Sequence, residues 1–163
     1  MANTLLTGAA GFIAFRVAEF LLEAGHTVYG VDNLNDAYDV RLKQYRLERL
    51  EKSPNFHFRK EDISERERIE AWIDWLPEDV AGVINLAARA GVRTSLTDPW
   101  VYVNTNMLGT LNLLELCRRK GIKKFVLAST SSLYAEVSEP PFSETDDTDH
   151  PLQPYAATKK GAE

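Results

Sequence analysis

Cysteine is almost missing from this sequence. The single Cys117 excludes an internal disulfide framework and a zinc site built from several thiolates. It lies in an apolar helical run with Leu111, Leu113, Leu114 and Leu116, so it reads as core filler. Long hydrophobic runs are missing too. No segment approaches the roughly 18 apolar residues of a membrane span, and the N-terminus lacks the basic and apolar regions of a secretory leader. A cytoplasmic location is therefore expected. Nor is there an excess of positive charge: the formal net charge is -5 and the pI is near 5.3. That removes the electrostatic footprint of a nucleic-acid or anionic-membrane binder. It does not exclude a phosphate ligand, because backbone amides can hold phosphate without any lysine. No metal site is expected.

What remains is ordinary globular composition, 44% hydrophobic and 26% charged over 163 residues, enough for one domain with a substantial core. Short apolar runs alternate with longer amphipathic ones, the pattern of βαβ units and a parallel sheet. Strands are predicted at 4–6, 27–31, 55–59, 80–86 and 124–128. The first helix carries Phe12, Val17, Phe20, Leu21 and Leu22 and stops at Gly25. Residues 39–52 form an amphipathic helix with a wet face. Ser64, with Glu67 three residues on, is expected to cap a helix running to Leu76. Asp98-Pro99 should start, and cap, a helix that ends at Gly121. Residues 135–154 are a proline-rich, acidic surface loop, and a last helix begins at Tyr155. The pattern stops inside that helix, which reads as an N-terminal fragment.

Gly8-Ala-Ala-Gly11-Phe-Ile-Ala14 sits between the first strand and the first helix. Small residues let such a turn close and let backbone approach a diphosphate. The helix start adds unpaired N–H groups and positive dipole charge. Gly8, Gly11, Phe12 and Ile13 are thus candidate cofactor residues. Asp32 ends the second strand, near the ~20-residue interval at which an acid meets the adenosine ribose. Asn33 follows it, not arginine, so a 2′-phosphate would face a carboxylate without a nearby cation, which favours NAD over NADP. After the third strand, Asp62 could bond an adenine amino group and Ile63 could pack on its ring.

Tyr155 and Lys159 lie four residues apart, on one face of a helix. A phenol has a pKa of roughly 10 in isolation; an adjacent cation favours the phenolate and brings it into range as a base. Ser129-Thr130-Ser131-Ser132 ends the fifth strand, and open parallel sheets bind ligands beyond the carboxyl ends of their strands.

Taken in order, these pieces resemble the NAD-dependent epimerase/dehydratase family of extended short-chain dehydrogenases/reductases. The resemblance covers the whole chain and includes Asn85-Leu86-Ala87-Ala88 and Asn106-Met-Leu-Gly109. Stretches 31–36, 38–43, 87–93 and 155–160 are similar to UDP-glucuronate 4-epimerases. The resemblance implies a Rossmann-type doubly wound parallel sheet over residues 1–163, with helices on both faces and the C-terminal substrate domain missing. It implies Tyr155, Lys159 and Thr130 as catalytic residues, with Lys159 also bonding the nicotinamide ribose. Leu86, Ala87, Ala88 and Asn106 would line the NAD channel, and Arg93, Ser131 and Ser132 would meet a nucleotide-sugar substrate. It further implies inversion at C4 through a 4-keto sugar, and a homodimer packed through the 100–120 helix. In the family's terms Ala14 replaces a glycine, and Ala135 follows Tyr134 where glycine is usual. A 4,6-dehydratase would need acids after Thr130, where Ser131-Ser132 stand; a reductase would need NADPH, against which Asp32 weighs. A non-catalytic NAD-binding module is the reading from another class.

Overall fold

Strand β1 (Asn3–Thr7) alternates its side chains between two faces, yet Leu5 and Leu6 are both fully buried. Both faces of the sheet must therefore be covered. Leu5 packs with Val31, Val83, Trp72, Leu113 and Leu116 on one side. Leu6 packs with Ala14, Ala18, Val28, Leu50 and Phe56 on the other. Full burial of such a side chain contributes about 1.5–3 kcal/mol, so neither face could be left open cheaply. The structure, a computed structural model, describes residues 1–134 and 141–163; Ala135 and the start of the expected loop lie outside the described residues.

Strands β2 (Thr27–Asp32), β3 (Phe56–Lys60), β4 (Val80–Asn85) and β5 (Phe125–Leu127) join β1 in one sheet. All pairings are parallel, in the order β3-β2-β1-β4-β5. Helices α1 (Phe12–Glu23) and α2 (Val40–Leu50) cover the Leu6 face. Helices α3 (Arg68–Trp75) and α6 (Gly109–Lys120) cover the Leu5 face. This is the expected doubly wound arrangement. The strand order reverses between β1 and β4, and the crevice beyond their carboxyl ends is where such sheets take ligands. The remaining helices gather at that end: α4 (Val92–Ser95), α5 (Pro99–Tyr102) and α7 (Pro154–Ala162).

Gly25 and Gly121 have positive φ where α1 and α6 stop, as expected. Three local expectations fail. Ser64 does not cap a helix; its N–H and hydroxyl both donate to Asp62 Oδ1 (2.9 and 2.7 Å), and α3 starts only at Arg68. The nearer carboxylate outcompetes the capping box for that serine. Asp98 stands at the start of α5 with Pro99 after it, but its side chain makes no cap bond. The helix from there to Gly121 is not uniform, because Val103–Leu108 form a π-helical turn. The Thr110 hydroxyl of α6 donates back to the carbonyl of Asn106 in this turn (2.7 Å), and the Asn106 side chain bonds the Arg89 backbone. Single π turns inside helices tend to mark functional sites.

Candidate functional site

The crevice is held by buried polar contacts across the β1/β4 reversal. Thr7 and Asn85 are register partners at the strand ends, and the Thr7 hydroxyl donates to Asn85 Oδ1 (2.6 Å). The same hydroxyl accepts from Ala87 N (3.2 Å), so it fixes the start of the segment after β4. Against that segment lies the glycine loop. Gly8 has φ +69°, and a Cβ there would stand 2.9 Å from Ala87 N. Gly11 N donates to Gly8 O (2.7 Å), closing the turn. Gly11 also caps α1 without any side-chain bond, which leaves the first-turn amides of Phe12 and Ile13 for an outside acceptor. Their side chains are exposed, so what these two residues can offer is backbone. Ala14 is buried in the core beneath the loop; the extra methyl is accommodated.

Asp32 is buried and already accepts three hydrogen bonds, with acceptor capacity left on Oδ2. Its Oδ2 accepts from Ala10 N (3.2 Å), and its Oδ1 accepts from Leu34 N (2.8 Å) and Lys43 Nζ (3.2 Å). Lys43 is itself buried and also donates to Asn35 (3.2 Å). This corrects the sequence argument about the cofactor's 2′ position: a cation does stand beside Asp32, already paired with it. Sequence reasoning gave Lys43 no role. A signal was present, since Lys43 occupies the i, i+4, i+7 face that carries Leu47 and Leu50, where a lysine needs a reason.

Asn33 and Asp62 tie the ends of β2 and β3 together through Asn33 Nδ2 to Asp62 Oδ2 (2.7 Å). Burial works to raise the Asp62 carboxyl, but the bonds from Asn33 and Ser64 outweigh it and hold the group below the ordinary carboxylate value. Gly8, Gly11, Asp32, Asn33, Asp62 and Ile63 share one cavity of about 230 Å³, walled on the far side by Leu86, Ala87 and Ala88. Tyr38 and Lys43 join its rim. Complete small-molecule pockets span ~300–1,000 Å³, so this one suits half of a dinucleotide.

Asn106 is not among the residues that line this cavity. It is buried, accepts from Arg89 N (2.8 Å), and donates to Arg89 O (3.2 Å) and Thr158 Oγ1 (3.1 Å). It braces the segment after β4 against α7, while its neighbour Thr105 lines the pocket.

Tyr155, Lys159 and Thr130 do not line that cavity. Tyr155 and Lys159 stand on α7, which packs on the π-helical turn and on α4 and α5. The Tyr155 ring meets Tyr102 edge-on at 6.1 Å. Lys159 is buried, with no ion-pair partner among the described residues. Burial pushes its ammonium below the ordinary lysine value, with Glu163 pulling the other way. Thr130 is half-buried, accepts from Ser132 N (3.2 Å) and precedes a 3-10 turn, Ser131–Tyr134. Ser131 and Arg93 are exposed and Ser132 half-buried. Among the described residues no cluster of side chains could hold a metal ion, and no helix is long and apolar enough to cross a membrane.

The model of the GDP-mannose 4,6 dehydratase family matches residues 5–163. A UDP-glucuronate 4-epimerase of Thermodesulfobacterium geofontis is 58% identical over 163 residues, covering 100% of this chain and 50% of the relative. Protein CapI of Staphylococcus aureus is 44% identical over 98% of this chain and 47% of its own. The chain thus spans about half the length of the curated relatives it matches. Among solved structures, the UDP-glucuronic acid 4-epimerase of Bacillus cereus, in complex with UDP-glucuronic acid and NAD, superposes with a TM-score of 0.84. It is 35% identical, over 98% of this chain and 49% of that one. With the glycine loop, the acid after β2 and the Tyr155/Lys159 pair all in the family's order, the chain belongs to the GDP-mannose 4,6 dehydratase family of NAD-dependent epimerases and dehydratases.

Proposed function

We propose that this chain is the cofactor-holding half of an NAD-dependent nucleotide-sugar epimerase, one that inverts C4 of a UDP-sugar of the UDP-glucuronate class. The observation that carries the reading is the cavity at the β1/β4 reversal, where the glycine loop, Asp32 and Asp62-Ile63 converge. Its donors and acceptors fit a dinucleotide. The open amides at the start of α1 suit a diphosphate, and Asp32 accepts from ribose hydroxyls. Asp62 accepts from an adenine amino group, while Ile63 and Leu86 offer apolar walls. The sugar class comes from the relatives' names, two of the similar proteins being UDP-glucuronate epimerases.

Bound NAD supplies reversible acceptance of the C4 hydride. Tyr155 takes the C4 hydroxyl proton and gives it back after the 4-keto sugar has turned over. Lys159 follows one helical turn after Tyr155, where burial disfavours the ammonium's charge and an anionic neighbour would favour it. Lys159 also bonds the nicotinamide ribose. Thr130 donates to the reacting oxygen and steadies its charge, and Ser131, Ser132 and Arg93 meet the sugar and its phosphates. The dehydratase named by the family model is disfavoured here, since Ser131-Ser132 supply no acid to expel water.

The partner in this reading is a second copy. Val103, Met107, Leu111 and Leu114 are exposed along one stripe of the π turn and α6, the helix the family resemblance assigns to dimer packing. Sedimentation equilibrium tests this, with Leu111→Glu expected to give monomer.

The central test joins residues 1–163 to the second half of the Thermodesulfobacterium relative and follows UDP-glucuronate by NMR. UDP-galacturonate should form, and Tyr155→Phe should abolish it while NAD binding persists. Retained epimerisation in the tyrosine variant would sink the assignment.

A further inference from the structure

One cation beside the glycine loop has no part in the reading above. Arg46, half-buried on α2, directs Nη1 at two neutral acceptors, the Ala10 carbonyl (3.2 Å) and the Tyr38 hydroxyl (3.0 Å). Its guanidinium also lies 5.7 Å from the Phe12 ring centroid and 5.8 Å from that of Tyr38. Among the described residues no carboxylate pairs with it, although α2 carries another arginine, Arg49, that is paired with Glu19.

The Ala10 carbonyl shares a peptide unit with Gly11 N–H. In a trans peptide these two groups point in opposite directions. The N–H donates to Gly8 O (2.7 Å) and the carbonyl accepts from Arg46, so this peptide is pinned at both ends. The preceding unit is pinned as well, through Ala10 N to Asp32 Oδ2 (3.2 Å). Were the Ala10–Gly11 unit to rotate, a carbonyl oxygen would turn towards the start of α1 and repel an anion held by the Phe12 and Ile13 amides. Arg46 opposes that rotation and brings a positive charge, without a carboxylate partner among the described residues, to the Ala10 carbonyl at the loop.

We infer that Arg46 is a positioning residue of the dinucleotide site. It fixes the orientation of the Ala10–Gly11 peptide for diphosphate and couples the loop to Tyr38 on the pocket rim. The inference rests on the proposed NAD site, but half of its test does not. Arg46→Met removes both hydrogen bonds while keeping much of the apolar stem. Arg49→Met makes the same change of charge one turn along the helix.

Amide hydrogen exchange on the unliganded chain should show the Gly11 N–H exchanging at least tenfold faster in Arg46→Met and unchanged in Arg49→Met. Titration with NAD and with ADP should give about tenfold weaker binding for Arg46→Met with both ligands, and binding within twofold of the parent for Arg49→Met. Equal Gly11 exchange in Arg46→Met and parent overturns the inference, as does an equal loss of affinity in both variants. If the parent chain itself fails to bind NAD, the proposed function falls while the exchange result still decides whether Arg46 holds the loop. Should Arg46→Met fail to fold, Arg46→Gln removes the charge and shortens the side chain out of reach of the Ala10 carbonyl; faster Gly11 exchange there supports the inference and parental exchange refutes it.

Discussion

Lys43→Met is the variant that best probes how the adenosine side of the pocket is built. Lys43 and Asp32 are both buried, 3.2 Å apart, which corresponds to an attraction of about 5 kcal/mol at an effective dielectric constant of ~20. Each ion gave up several kcal/mol of hydration to be there, so the intact pair contributes little net stability. Breaking it is another matter. Methionine fills a similar volume but leaves Asp32 charged, buried and held only by Ala10 N and Leu34 N. Loss of one partner of a buried pair costs ~3–5 kcal/mol, and those two remaining donors place the expected cost near the lower bound, about 3 kcal/mol.

Urea unfolding followed by tryptophan fluorescence measures this directly. The double variant Lys43→Met/Asp32→Asn removes the stranded charge, so it should cost at least 1 kcal/mol less than the sum of the two single changes. Neighbouring groups in one network are coupled by ~0.5–3 kcal/mol. If the three costs add to within ~0.5 kcal/mol, Asp32 and Lys43 do not act as a pair and the reasoning fails. NAD titration of the same proteins reads the functional side: Lys43→Met should bind more weakly, because an Asp32 stripped of its counter-ion is free to move off its loop contacts.

Three further outcomes follow from the same geometry. Gly8→Ala places a methyl 2.9 Å from Ala87 N in a residue with φ +69°; the left-handed backbone alone costs about 1–2 kcal/mol, and isothermal titration should show NAD binding weakened more than tenfold. Asn106→Ala orphans the Arg89 N–H and C=O that it now satisfies; at ~1–3 kcal/mol per unsatisfied buried group, unfolding should show a loss of about 2–4 kcal/mol. Lys159→Met should raise stability at neutral pH. The folded lysine's pKa lies below its unfolded value, so its penalty is fully present below the folded pKa and fades as pH rises towards the unfolded value of roughly 10.4. The variant's advantage in melting temperature should therefore shrink as pH climbs through that window, and an advantage that grows with pH would contradict the buried charge.

The sheet, its helices and the site's location could be read from the sequence because they rest on periodicity and punctuation. Leu5 and Leu6 sit in a short apolar run, the α1 pattern starts after Gly11, and Asp32 ends an apolar strand; each of these is a local signal. What escaped depends on competition between partners, some local and some distant in the chain. Ser64 looks like a cap until Asp62 folds back to take its hydroxyl. The brace that Asn106 makes to the Arg89 backbone, 17 residues away, has no signal in the spacing. The π-helical turn follows from that same contact and from Thr110, and no spacing rule announces it. Lys43 lay between, with a visible anomaly on an apolar helix face and a partner that only the fold supplies.

Binding of a dinucleotide and chemistry on a sugar make different demands, and the proposed function would meet them with different materials. The proposed binding half uses backbone: the Ala9, Ala10 and Gly11 amides and the Gly8 and Ala10 carbonyls already have partners in Ala9–Val31, Ala10–Asp32, Gly11–Gly8 and Arg46–Ala10 contacts. The first-turn amides of α1 stay open to a ligand. Such a loop has little freedom to lose on binding, so its ordering is settled during folding and affinity is not reduced by it. The proposed reactive half rests on side chains instead: in that reading Tyr155 carries the proton, and Lys159 stands where burial disfavours its charge. In the proposed enzyme a preordered loop would therefore hold the cofactor firmly, while Asn106 and Thr158 tie the segment after β4 to the helix that buries Lys159.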